Sequence, residues 1–195
     1  MELFPAFLKI EGEPCLVVGG GDVAERKVRQ LRAARARVSV ISPQLTPALA
    51  HMAQKGEIVH RARPFDESDM ADAMLVFAAT DDAAVNRRVS DLARARKLPV
   101  NVADQPELCS FIVPSMIDRS PVQIAVSTGG ASPVLARLLR AKLESLIPAA
   151  YGRLASLVER FRSEVKERFA TVRERKAFWE RVLQGPVAEL IFSGR

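Results

Sequence analysis

Four short stretches of this chain combine residue types that can do chemistry. The first lies in CLVVGGGDVAERK, where Gly19-x-Gly21-x-x-Ala24 follows an apolar run and precedes a charged, helix-like one. There Gly19 permits a tight turn, Gly21 lets backbone approach a pyrophosphate, and Ala24 allows a helix to pack closely on a strand. The helix N-terminus adds unpaired N–H groups and a partial positive charge. The chemistry indicated is dinucleotide binding, with Gly19, Gly20, Gly21, Asp22 and Val23 as contacts. The competing reading is a glycine turn in an α/β domain that binds nothing. The second stretch, Thr80-Asp81-Asp82, offers a hydroxyl to a cofactor, while its two carboxylates also suit helix capping. The third is Asn101-Val102-Ala103-Asp104 ahead of Gln105-Pro106. Here Asp104 is either a turn residue before proline or a positioned base, with Asn101 beside it as a substrate contact. The fourth, Ser127-Thr128-Gly129-Gly130-Ala131-Ser132-Pro133, joins hydroxyls and glycines to a helix start. It reads equally as a carboxylate-binding loop, with Ser127 and Thr128 as contacts, or as an ordinary cap.

These stretches need elements that bring them to one edge. Short apolar runs at 14–18, 37–41, 57–61, 75–79 and 99–103 alternate with helix-like segments at 22–34, 46–54 and 81–96. Strand–helix alternation at this spacing predicts an open parallel sheet with helices on both faces. In such a sheet, ligands lie beyond the carboxyl ends of the strands, where the first three stretches fall. The second strand ends in Ser42-Pro43-Gln44, the place where a ribose-binding acid is usual, and no carboxylate stands there. That leaves NADP open on physical grounds, but no Arg follows the strand to grip a 2′-phosphate, which favours NAD. Near residue 110 the pattern changes. FIVPSMIDRSPVQIAVST reads as a hairpin around Asp118-Arg119-Ser120-Pro121. Beyond it Ser132 as N-cap and Pro133 at the first helical position open a helix carrying Leu135, Leu138, Leu139, Leu143 and Leu146. Pro148 ends it, and 150–169 and 172–183 read as two more helices.

Bulk properties narrow the function. The chain has 195 residues, 48% hydrophobic and 27% charged, a globular composition. No apolar run approaches the roughly 18 residues that span a bilayer. The start, MELFPAFLKIEGEP, has neither a basic leader region nor a cleavage pattern, so a cytoplasmic location is expected. The net charge of +6 admits a nucleic acid, an anionic surface or an anionic small substrate. The charges are spread over amphipathic segments, without a basic tail or an aromatic-rich RNA-binding signature, so solvated helix faces and a polyanionic substrate are the readings retained. Cys15 and Cys109 have no metal or redox spacing and read as small packing residues. His51 and His60 read as surface residues, and no metal centre owned by the protein is expected.

Taken together, LFPAFL, VVGGGDVAERK, PFDESDM, AATDDAAVNRRVSD, the block from Asn101 to Pro148, and FATVRERKAFWERVL resemble the N-terminal module of siroheme synthase. The likeness runs from residue 1 to about residue 183. It implies a precorrin-2 dehydrogenase and sirohydrochlorin ferrochelatase: NAD-dependent oxidation of precorrin-2 to sirohydrochlorin, then insertion of ferrous iron as a substrate. It implies a Rossmann-like NAD-binding domain over 1–112, a dimerisation segment over 113–148 and a small helical domain over 149–195, in a homodimer. It matches the family's essential aspartate to Asp104, and its NAD contacts to Gly21, Asp22, Val23, Pro43 and Gln44. The substrate is a tetrapyrrole with eight carboxylates, which suits a basic chain. Many relatives carry Ser-Ser where this chain has Ser127-Thr128. Longer relatives continue into a methyltransferase, so the chain reads as standalone or as an excised module, with the methyltransferase separate or fused, and no methyltransferase activity is assigned to it. The rival expectations are a dehydrogenase without chelatase activity and a regulator that binds NAD or tetrapyrrole without catalysis.

Overall fold

The short β-branched runs fold as one parallel sheet in the computed structural model, which describes residues 3–194. Its strands are β1 (Pro14–Val18), β2 (Arg37–Ile41), β3 (Val59–Arg61), β4 (Leu75–Ala78) and β5 (Val100–Val102), in the order β3-β2-β1-β4-β5. Helices α1 (Asp22–Ala33), α2 (Pro47–Gln54) and α3 (Ala83–Ala95) connect them. Side chains alternate across a strand, so each strand feeds two cores. Cys15, Val17, Val38, Val40, Leu75 and Phe77 pack with Ala24, Val28 and Leu31 of α1 and Leu49 of α2. Leu16, Val18, Ile41, Val76, Ala78, Val100 and Val102 pack with Val89 and Ala93 of α3. Burial on both faces explains why the strands are apolar runs rather than alternating ones. Each of the Val, Leu, Ile and Phe side chains contributes about 1.5–3 kcal/mol.

The expected α/β class and parallel sheet are what is found. Strands four and five end one residue earlier than expected, at Ala78 and Val102. The next amides keep the ladder going, with Ala79 N donating to Val18 O at 2.8 Å and Ala103 N to Ala78 O at 2.9 Å. Two 3₁₀ turns, Glu67–Met70 and Pro106–Leu108, are absent from the sequence reading.

The chain divides into two compact units, Met1–Val113 and Pro114–Arg195. The ends of the expected segmentation at residues 1–2 and 195 lie outside the described residues. The second unit holds the expected hairpin, β6 (Ser115–Arg119) with β7 (Val122–Val126), then α4 (Pro133–Leu146), α5 (Ala150–Arg168), α6 (Val172–Gln184) and α7 (Pro186–Phe192). Ser132 caps α4 by accepting from Leu135 N at 3.1 Å, and Thr171 with Glu174 forms a capping box on α6. Arg119 ties the hairpin to α4, donating to Ile147 O and Glu144. Gly152 lets α5 meet the hairpin closely: a Cβ there would stand 2.1 Å from Arg119 O. Helix α7 was not expected, although Gly185-Pro186 is a start signal.

Candidate functional site

The glycine loop is shaped from both sides by backbone. Gly19 has φ +120°, and a Cβ on it would lie 2.2 Å from Ala79 O; a Cβ on Gly20 would lie 2.0 Å from Gln44 O. Neither position has room for a side chain. Gly21, the N-cap of α1, has nothing within 4 Å of its added Cβ, so its face is open to a ligand. The loop is locked by Gly19 N donating to Ile41 O and Thr46 N donating to Gly20 O, both at 2.9 Å. Thr46 also donates its hydroxyl to Glu25 at 2.7 Å, and Arg29 donates to the other oxygen. The Thr46 and Arg29 hydrogen bonds hold the Glu25 carboxyl below its ordinary value.

Around this loop lies a cleft of about 880 Å³. It is lined by Gly19, Gly20, Gly21, Asp22 and Val23, by Ser42, Pro43 and Gln44, and by Thr80, so the cofactor residues expected from sequence are brought together. Pro64, Phe65, Asp81 and Asp82 are also among its walls. The volume, the open Gly21 face and the free N–H groups at the start of α1 fit a dinucleotide. Ser42 is buried and donates to Gln44 O at 2.7 Å, which folds the β2 end back over Gly20. His60 faces Ser42 O at 2.9 Å; a carbonyl only accepts, so the ring presents Nε2–H there. This histidine is half-buried and braces the cleft, where a surface residue was expected.

The wall at Pro64-Phe65 hangs on Asp69. Its side chain is fully buried and accepts from Arg61 at 2.6 Å, from Arg63 at 2.6 and 2.8 Å, and from Asp66 N at 2.9 Å. Burial alone would raise the Asp69 carboxyl; the bonds from Arg63, the Asp66 amide and Arg61 outweigh it and hold it low. At the end of β4, Thr80 is locked by buried Asn86, which accepts from the Thr80 hydroxyl at 2.9 Å and donates to Thr80 O at 2.9 Å. Asp82 caps α3, accepting from Ala84 N and Val85 N. Asp81 is exposed at the cleft.

Asp104 lies beyond the end of β5, exposed, with φ +57°. This left-handed region is tolerated by Asp and Asn better than by most residues. The turn is fixed by lacing along the outer edge of β5. Cys109 Sγ accepts from Val102 N at 3.1 Å and lies within donating reach of Val102 O and Gln105 O, at 3.3 and 3.4 Å. Ser110 exchanges bonds with Val100 N and O. Thus Cys109 does local structural work that its spacing did not signal. Asn101 is buried and donates to Phe111 O at 3.0 Å, so its amide holds the same lacing. Cys15 is also buried, and burial pushes its thiol up to about 11.

In the second unit, Ser127 and Thr128 spend their hydroxyls locally. Gly129 N donates to Ser127 Oγ at 3.1 Å, and Thr128 Oγ1 bonds both Ser132 O and Ser132 N. Gly129 and Gly130 have φ +65° and +89°, which makes the loop possible for glycine. Among the described residues, no group of three or more His, Cys, Asp or Glu could hold a metal ion, and no helix is long and apolar enough to cross a membrane.

Residues 6–115 match the family model described as putative NAD(P)-binding. The chain belongs to that family. Residues 119–146 match the model for a sirohaem biosynthesis protein central region, and 150–195 that for a sirohaem synthase dimerisation region. The NAD(P)-binding chain is 59% identical to the siroheme synthase of Thioalkalivibrio sulfidiphilus (strain HL-EbGR7) over 195 residues, covering 100% of itself and 40% of that relative. It is 55% identical to the siroheme synthase of Methylobacillus flagellatus, covering 100% of itself and 42% of the relative. It therefore spans about 40% of the length of these curated relatives. The resemblance to the siroheme synthase N-terminal module is borne out by these matches. In fold it is similar to the solved structure titled "SirC, precorrin-2 dehydrogenase", with a TM-score of 0.78, 22% identity and 98% of each chain covered.

Proposed function

We propose that this chain is an NAD-dependent dehydrogenase that oxidises precorrin-2 to sirohydrochlorin, and that it then inserts ferrous iron, a substrate, to give siroheme. The observation that carries this reading is the continuity of the sheet edge. The glycine loop after β1, the Thr80 loop after β4 and the Asp104 turn after β5 are joined by the Ala79–Val18 and Ala103–Ala78 hydrogen bonds. A cofactor cleft and an exposed carboxylate thus share one edge. The siroheme synthase relatives and the precorrin-2 dehydrogenase fold agree with it.

Gly21, Asp22 and Val23 hold the cofactor phosphates at the start of α1, and Ser42, Pro43, Gln44 and Thr80 bound its two ends. NAD is favoured over NADP because the cleft carries no cation at the β2 end, and Arg61 and Arg63 are both committed to Asp69. Bound nicotinamide supplies the hydride acceptor. Asp104 takes the proton lost from the macrocycle, a role worth about 10²–10⁴-fold in rate. In metal insertion the same carboxylate, after giving its proton to water, accepts the two pyrrole protons one after the other and passes each to water, so no permanent ligand set is required. Ser127, whose hydroxyl only accepts from Gly129 N and so keeps its proton to donate, serves a substrate carboxylate, while Thr128 acts by fixing the glycine turn through Ser132, and Asn101 acts by holding the Asp104 turn. The working form is a homodimer, in which the segment at 113–148 and the helical domain at 149–195 follow the NAD-binding domain and both take part in association, the match to a dimerisation region falling on 150–195. The methyltransferase step belongs to a fused or separate partner.

The test supplies precorrin-2 and NAD to the purified chain and follows NADH, then adds Fe²⁺ and follows the tetrapyrrole spectrum. NADH formation is expected first, and a metal-dependent spectral change second. NAD binding without NADH formation would sink the dehydrogenase role. Oxidation without metal uptake would leave a dehydrogenase alone.

A further inference from the structure

Lys27 is a cation with no role in the chemistry so far. It lies in the second turn of α1 and is half-buried. Helical side chains lean towards the helix N-terminus, which carries Lys27 back towards the edge that holds the glycine loop. Its ammonium stands 5.8 Å from the centroid of Phe77 on β4, and Phe77 is braced edge-on by Phe111 at 5.5 Å. Among the described residues no carboxylate forms an ion pair with it. Most helical lysines leave the ammonium in water; this one rests on an aromatic face. Burial, then the neighbouring Arg26, lower its affinity for the proton, while Cys109 and Asp104 act in the opposite sense. Such a partly desolvated, unneutralised cation is completed by an arriving anion. The cofactor phosphates are not the anion expected there. Val23, one turn earlier, lines the dinucleotide cleft and Lys27 does not. Its aromatic support comes from β4 and from the segment that follows β5, on the Asp104 side.

We propose that Lys27 is a substrate-binding residue that receives one carboxylate of the acidic substrate beside Asp104. The proposal rests on the precorrin-2 reading above. Removing Lys27 takes away binding shared by ground and transition states, which raises KM and spares kcat.

The experiment compares wild type, Lys27→Met and Lys27→Arg in steady-state oxidation of precorrin-2, with NAD affinity titrated on each. Lys27→Met keeps the apolar stem and is expected to raise KM for precorrin-2 about tenfold, the scale of one charge-assisted contact. Its kcat and NAD affinity should stay within about twofold, and Lys27→Arg should recover most of the KM. An unchanged KM overturns the proposal. So does a parallel loss of NAD affinity, which would put the cation on the cofactor. Equilibrium dialysis against sirohydrochlorin, itself an octacarboxylate, separates the two readings. Wild type that retains sirohydrochlorin, with retention lost in Lys27→Met, supports the Lys27 site even without turnover. Wild type that binds it yet makes no NADH defeats the dehydrogenase reading alone. Equal retention by wild type and Lys27→Met, or none by either, defeats the Lys27 site.

Discussion

In the proposed reaction Asp104 meets two demands in one residue: a carboxylate for proton transfer and a backbone at φ +57°. Asn meets the second and not the first. Asp104→Asn is therefore expected to keep the melting temperature and NAD affinity while NADH formation falls about 10²–10⁴-fold; near-normal turnover would remove the base from the mechanism. The glycines divide the loop in the same way. Gly20→Ala pushes a methyl against Gln44 O and should destabilise by about 1–3 kcal/mol, read in urea melts. Gly21→Asp meets open space, so it should fold normally and weaken NAD binding through charge and bulk. Equal melting curves for the two variants would contradict the division.

Elements are held to the site by pairings that span many residues. The 3₁₀ turn at Glu67–Met70 matters because Asp69 gathers Arg61 and Arg63 beneath Pro64-Phe65. Breaking a buried ion pair costs about 3–5 kcal/mol, and the solvent reach of both arginines brings the expected loss for Asp69→Asn to about 2 kcal/mol at neutral pH. The carboxyl is held below its ordinary value. Its stabilisation is thus complete above the unfolded pKa, near ~4, and is lost as pH falls through the lower native one. The gap between wild type and Asp69→Asn in chemical melts should accordingly close below pH ~4. A gap constant down to acid would mean that the ion pairs contribute nothing. On β5, Cys109 and Ser110 play the part of a missing neighbour strand, which keeps an edge from pairing with other chains.

For the whole molecule, charge and apolar surface set expectations. A chain of net charge +6 acting on the proposed polycarboxylate should lose kcat/KM as salt rises, because screening shortens the reach of its field. In the second unit Val134, Leu135, Leu138, Leu139 and Leu146 of α4 are exposed. Large apolar side chains repeating along one helix mark an association surface. Light scattering at micromolar concentration should report a dimer, and Leu138→Glu should shift it towards monomer. A wild-type monomer would refute the assembly.

Much of this was legible before any coordinates. The strand runs, the glycine loop opening α1, the Ser132-Pro133 start and the turn after β5 are local features, governed by propensity, capping and backbone sterics within a few residues. The sequence by itself therefore determined the parallel sheet, the dinucleotide edge and Asp104 as a marked position. It did not disclose Asn86 locking Thr80, Cys109 lacing β5, Asp69 drawing in two arginines, or Lys27 resting on Phe77. Those depend on which segments meet in space, and a side chain's spacing along the chain carries no record of the partner that folding brings to it. The parallel sheet read from sequence already put the loops after β1, β4 and β5 at one edge; only the tertiary structure decided that they are immediate neighbours there, in the order β1-β4-β5, because the backbone hydrogen bonds that pair one strand with the next are not written in either strand's own residues.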